Sequence, residues 1–196
     1  MKFRLLLCLL MTASLWLEAQ PRYALDGKAY TSLKAALLEP DSVVILRLRR
    51  KKLDSFPPEI LQFKNLRELD LGNNRITALP ENIGVLENLE ILNLERNKIK
   101  VVGKEIGQLR RLRYLDLGLN EIEVLPNELG KLINLEFLQI WGNEITSLPQ
   151  SVSKLENLRW LDMRAIILTP SERANISDLL SSKTEVLLSP DCNCGK

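Results

Sequence analysis

Two cysteines near the end of the sequence are the only pair of side chains whose type and spacing suggest covalent or redox chemistry. Cys192 and Cys194 are separated by one residue, so a disulfide between them would close a small ring with poor geometry. The alternatives are a redox pair, half of a thiolate metal site, or a link to another chain. Histidine is absent, which removes Ser–His and Cys–His nucleophiles and histidine-ligated metals. We therefore expect no enzyme activity, no metal and no cofactor.

Charged residues offer weaker signals. Asp70, Asp116 and Asp162 recur every 46 residues. On alternate strands of a sheet their backbones would lie about 9–10 Å apart, which is wide for a carboxylate dyad. The basic run from Arg47 to Lys52 is either a solvated strand face or a docking patch for an acidic partner or an anionic polysaccharide. The formal net charge of +2 argues against nucleic acid or a membrane surface as a partner.

The first segment is predicted to be a signal peptide. Lys2 and Arg4 precede an apolar run from Leu5 to Leu17, which matches the 7–15 residues of a secretory h-region. The run is shorter than the ~20 residues of a membrane-spanning helix. We expect cleavage near Ala19, no transmembrane segment after that, and a secreted, periplasmic or cell-surface location.

The remaining chain repeats every 23 residues, and leucine accounts for 42 of the 196 residues of the whole sequence. Each copy reads LxxLxLxxNxI, as in LRELDLGNNRI from Leu66 and LRYLDLGLNEI from Leu112. A period of 20–29 residues is typical of a solenoid, in which no repeat buries its apolar face alone. The copies begin at Val43, Leu66, Leu89, Leu112, Leu135 and Leu158.

These residues resemble the leucine-rich repeat family, in the subtype that continues LPxxIGxLxN. The resemblance implies an α/β solenoid shaped as a right-handed horseshoe or arc. A parallel sheet would form its concave face, and short helical or extended turns its convex face. It also implies a protein-binding role. Within this pattern we expect the ninth-position asparagines to form a structural ladder, because a buried turn needs a side chain that both donates and accepts. They are Asn74, Asn97, Asn120 and Asn143.

The ends of the repeat array predict a cap on each side. The predicted segments are a signal peptide (1–19), an N-terminal cap (20–42), about six repeats (43–165) and a C-terminal cap with the cysteine tail (166–196). Thr169–Glu172 has the sequence of a capping box with proline in the first helical turn. Val102–Gly103 replaces the Leu–Pro of other repeats, which leaves the convex geometry there open.

The residues that the repeat does not dictate lie at the third, fifth and seventh positions, which should face out of the concave sheet. Aromatic residues collect there in the C-terminal half, either as sheet-stabilising pairs or as a ligand-binding stripe with a charged rim. We predict the second: a ligand-binding set of Ile91, Tyr114, Asp116, Phe137, Trp141, Trp160, Asp162 and Arg164.

The sequence thus predicts an exported, non-enzymatic module that binds a protein or peptide on its concave face. The alternatives are a structural, self-associating surface protein, or an intracellular scaffold like the Ras-group leucine-rich repeat proteins if the leader is not cleaved.

Overall fold

The computed structural model describes residues 24–189. The predicted signal peptide and the Cys192–Cys194 pair lie outside them. Within this range one eight-stranded parallel sheet runs in the order of the chain, from β1 to β8. Its strands are β1 (Ala29–Tyr30), β2 (Ile45–Arg47), β3 (Glu68–Asp70), β4 (Ile91–Asn93), β5 (Tyr114–Asp116), β6 (Phe137–Gln139), β7 (Trp160–Met163) and β8 (Glu185–Leu188). The predicted solenoid is therefore confirmed.

The opposite layer consists of short 3₁₀ turns, one in each of the first five repeats. They span Pro58–Gln62, Ile83–Val85, Lys104–Gln108, Asn127–Lys131 and Gln150–Lys154. The turn that follows Val102–Gly103 forms like the others. Gly103 adopts φ −66° and ψ 158°, which is close to the φ −73° and ψ 149° of Pro126 in the next repeat. Glycine can therefore take the place of proline here without altering the convex path.

The core is the space between these two layers. Leu69, Leu92, Leu115, Leu138 and Leu161 are fully buried on successive strands, because the register pairs them directly. Stacking thus buries a leucine from every repeat against those of its two neighbours.

Two glycines of the convex turns allow the close approach of the next turn. A Cβ on Gly107 would lie 2.5 Å from the backbone oxygen of Glu128 in the next repeat, and Gly130 is crowded in the same way by Ser151. A larger residue at Gly107 or Gly130 would force the two neighbouring turns to shift.

Two helices close the ends. The short helix α1 (Leu33–Ala36) precedes the first repeat, and α2 (Pro170–Leu179) follows the last. The predicted capping box is confirmed, since the Thr169 hydroxyl accepts from the Glu172 N–H and the Glu172 carboxylate accepts from the Thr169 N–H. Among residues 24–189, no helix is both long and apolar enough to cross a membrane.

Candidate functional site

An aromatic stripe crosses the exposed face of the sheet in its C-terminal half. Tyr114, Phe137 and Trp160 occupy the same register position on β5, β6 and β7. The Tyr114 and Phe137 rings are 6.4 Å apart and tilted by 34°. All three side chains are partly exposed. We call these three residues the aromatic stripe.

The tryptophan at the end of the stripe holds an unsatisfied donor. The indole N–H of Trp160 is enclosed and has no acceptor among the described residues. Such a group carries a free-energy cost that an acceptor brought by a ligand, with a small rotation of the ring, would relieve.

Three of the predicted ligand-binding residues lie below the accessible surface. Ile91 and Asp116 are 4% exposed and Asp162 is fully buried. The sequence pattern placed them correctly on this face of the sheet, but neighbouring side chains cover them. The aromatic stripe, Trp141 and Arg164 are partly exposed.

The fifth-position side chains have a structural task at the ends of the strands. Asp70, Asn93, Asp116 and Asp162 each accept a hydrogen bond from the backbone N–H two residues later, at 2.8–3.1 Å. A short side-chain acceptor at this offset satisfies the donor where the strand ends. This explains why Asp or Asn recurs at this position.

The seventh positions alternate between large and small side chains. The Trp141 indole lies over Gly118, where it would collide with any added Cβ. The Arg49 guanidinium lies over Gly72 in the same manner. Each glycine therefore provides the space that a large neighbour fills on the next or preceding strand.

The N-terminal part of the concave face is occupied by the chain itself. The backbone N–H of Leu25 donates to the Glu68 carboxylate at 2.7 Å, and the Arg47 guanidinium donates to the Leu25 carbonyl at 3.4 Å. Arg47 also pairs with Glu68. This third of the face is thus closed by internal hydrogen bonds.

Arg164 and Asp162 form a bidentate pair at the other end, with contacts of 2.9 and 2.6 Å. The guanidinium stays about one-third exposed while the carboxylate is fully buried. Arg164 thus keeps part of its side chain accessible on the concave face.

Burial perturbs the titration of the central acids. It raises the pKa of Asp116 to about 7, to which the nearby Glu95 carboxylate contributes, while the Gly118 N–H and Arg49 act in the opposite direction. Burial also raises the pKa of Asp70, which the Gly72 N–H and Arg49 oppose. The pKa of the Tyr114 hydroxyl is raised as well, first by burial and then by Asp116.

The ninth-position asparagines link successive repeats. Each amide donates to carbonyls of its own repeat and of the preceding one, as Asn120 does to Leu117 at 2.9 Å and to Leu94 at 3.0 Å. Its oxygen accepts from the Ile99 N–H at 3.0 Å. Asn74, Asn97 and Asn143 do the same, so the buried donors and acceptors of each turn are satisfied.

A second series of asparagines, the last residue of the LPxxIGxLxN pattern, was given no role by the sequence analysis. Asn65, Asn88, Asn134 and Asn157 precede the first leucine of their repeats, and each donates to a carbonyl 24 residues earlier. Their 23-residue spacing was the available signal. In one repeat Arg111 stands at this position and donates instead to the Asn88 oxygen at 2.7 Å.

The other residues singled out from the sequence contribute less. In the basic run, Arg47 and Arg49 are engaged in ion pairs on the concave face, which accounts for part of the charge without an acidic partner. Within residues 24–189, no group of three acidic or sulfur ligands is arranged to hold a metal ion.

A stack of parallel strands, buried asparagines and a partly open aromatic face defines a repeat protein of the solenoid class, with a surface suited to binding. The chain belongs to the leucine-rich repeat family. A model of the leucine-rich repeat region matches residues 89–184, and a second leucine-rich repeat model matches residues 41–99. Proteins of this family are typically non-enzymatic binding modules.

Solved structures agree with this assignment. The chain is similar to a leucine-rich repeat protein of Leptospira interrogans (26% identity, TM-score 0.50, 83% of this chain and 58% of that chain). It is also similar to internalin C2 of Listeria monocytogenes (25% identity, TM-score 0.62, 81% and 66%). A third similar structure is the plant peptide hormone receptor RGFR1, solved with RGF2 (28% identity, TM-score 0.58, 69% and 22%). The chain thus spans little more than half of the Leptospira protein and about a fifth of the receptor. A comparison with curated proteins found no match.

Proposed function

We propose that this chain is an exported, non-enzymatic module that binds a protein or peptide on the C-terminal half of its concave face. The observation that carries the proposal is the aromatic stripe. Tyr114, Phe137 and Trp160 stand side by side, partly exposed, although the core does not need them there. Large aromatic side chains dominate the energetics of protein interfaces.

Two further observations support this location. The N-terminal part of the same face is filled by the Leu25, Arg47 and Glu68 contacts, which leaves the C-terminal half as the open part. The similar plant receptor was solved with RGF2, so a macromolecular ligand has a precedent among proteins of this fold.

The test is a ligand-affinity measurement on the full chain without its predicted leader. Peptides selected from a random display library supply the ligand, and Trp160→Ala is compared with Val124→Ala, which truncates an exposed apolar residue away from the stripe. We expect Trp160→Ala to weaken binding by about 2 kcal/mol or more, roughly 30-fold. Val124→Ala should leave binding unchanged.

A thermal melt of the same variants separates binding from folding. Unchanged affinity together with a lower melting temperature for Trp160→Ala would mean that the aromatic residues only stabilise the sheet. The concave-face proposal would then be wrong.

Export is tested separately by N-terminal sequencing of the protein from its native host. We expect a new N-terminus near residue 20, because Lys2 and Arg4 flank an apolar run of signal-peptide length. An intact Met1 on cytosolic protein would contradict export and favour the intracellular scaffold.

A further inference from the structure

An incompletely satisfied carboxylate lies at the centre of the concave face. Glu95 is paired with Arg49 and, at 3.2 Å, with Arg96, and Asp70 lies 3.8 Å from Arg49. Asp116 stands next to these groups, yet no cation of residues 24–189 lies within ion-pair distance of it. Arg49 and Arg96 thus pair with Glu95 and Asp70, and neither forms an ion pair with Asp116.

The hydrogen bonds of Asp116 are incomplete as well. Its Oδ1 accepts from the Gly118 N–H at 2.9 Å. The nearest donor to Oδ2 is the Tyr114 hydroxyl at 3.5 Å, beyond the usual range of an O–H···O bond. A carboxylate that is only 4% exposed therefore has one oxygen whose hydrogen bond within residues 24–189 is long.

Two aromatic residues stand close to this carboxylate on the concave face. Tyr114 lies on the same strand and face two residues earlier, and the Trp141 indole covers Gly118, whose N–H binds Asp116. A carboxylate beside aromatic faces attracts a cationic group through both charge and the ring quadrupole.

We propose that the ligand of the concave face carries a lysine or arginine side chain that lies over Asp116 between Tyr114 and Trp141, while a neighbouring apolar side chain packs on Phe137 and Trp160. This inference rests on the proposed concave-face function and adds the chemistry of the ligand. The occupant is a basic and apolar segment of a peptide or protein.

The charges around the carboxylate also favour a cationic group of the ligand. Glu95 and Asp70 on the N-terminal side add negative charge, Arg49 offsets part of it, and the facing residues of β6 and its extension, Gln139 and Trp141, are uncharged. Burial and Glu95 hold the pKa of Asp116 at about 7. A cation from the ligand favours the ionised carboxylate, so binding should weaken as the pH falls below 7.

The test begins with the random peptide display library applied to the full chain without its leader. We expect the selected peptides to be enriched in lysine or arginine next to an aromatic or aliphatic residue. One selected peptide and its copy with methionine in place of the basic residue are then titrated against wild type, Asp116→Asn and the exposed control Glu144→Gln.

Asp116→Asn keeps the fold intact, since Asn93 at the equivalent position already caps its strand through the same bond. We expect this variant to weaken binding about tenfold or more, and the methionine peptide to lose the same factor with no further loss when both changes are combined. Glu144→Gln should have no effect. Peptides without basic residues, or binding that depends on Trp160 but not on Asp116, would overturn this inference and leave the concave-face function standing. Binding that ignores Trp160 would overturn the concave-face function itself.

Discussion

Asp116→Asn should make the protein more stable at neutral and alkaline pH but not at acidic pH. The carboxylate is 4% exposed, and burial is the main reason that its pKa rises from 3.8 to about 7. Ionising Asp116 therefore costs free energy in the folded state that it does not cost in the unfolded chain. The amide of asparagine stays neutral at every pH and still accepts the Gly118 hydrogen bond.

The size of the effect follows from the two pKa values. A difference of about three units corresponds to about 4 kcal/mol, and local relaxation around the ionised group reduces it, so we expect about 2–4 kcal/mol. Between about pH 4 and pH 7 the folded protein keeps a proton on Asp116 that the unfolded chain has released. The contribution of Asp116 to the free energy of unfolding of the wild type therefore decreases between about pH 4 and pH 7. Above pH 7, Asp116 causes no further decrease.

Urea unfolding of both proteins at several pH values between 4.5 and 8.5 measures this difference. Titrating groups far from Asp116 contribute equally to both proteins and cancel. The stability advantage of Asp116→Asn should be small at pH 4.5, increase towards pH 7 and level off above it. A difference that does not change with pH, or a variant less stable than wild type at pH 8, would refute the assigned burial cost.

Two other predictions concern stability in the absence of any ligand. Asn120→Leu should lower the free energy of unfolding by about 1–3 kcal/mol, because buried turn groups lose their partners; equal urea midpoints at equal slope would contradict this role. Gly107→Ala should cost about 1–3 kcal/mol because its Cβ would lie 2.5 Å from a backbone oxygen of the next repeat. Gly103→Ala is the matched control, since its Cβ meets only the flexible Glu105 side chain, and thermal melts that rank the two alanine variants equally would contradict the stacking argument.

The fold could be predicted from the sequence because the same pattern of residue types recurs in each repeat. Leucines spaced for a strand, an asparagine at the ninth position and a turn after it recur in phase, so the strands must stack in register. The capping box at Thr169 was readable for a similar reason: it depends on residues that are three apart in the chain.

The candidate site was only partly predictable, because exposure depends on which side chain lies beside which. The pattern placed Ile91 and Asp162 on the concave face, but it could not show that neighbours cover them. Burial of Ile91 depends on the side chains around it on the sheet, and Asp162 is covered because Arg164 folds back over it. The occupation of the face near Glu68 by Leu25 was equally invisible, since the two residues are 43 positions apart.

The two halves of the concave face thus differ in how their outward-facing side chains are paired. In the N-terminal half, the Arg47–Glu68 and Arg49–Glu95 pairs satisfy one another. In the C-terminal half, the exposed positions carry aromatic rings instead of ion pairs at β5 and β6, and the Trp160 N–H has no acceptor among residues 24–189. A surface whose charges already pair with one another gains little binding free energy from a ligand. An enclosed donor gains a hydrogen bond from a ligand, and a partly exposed ring gains buried apolar area. The different pairing of side chains on the two halves, rather than the shape of the sheet, therefore favours binding on strands β5 to β7.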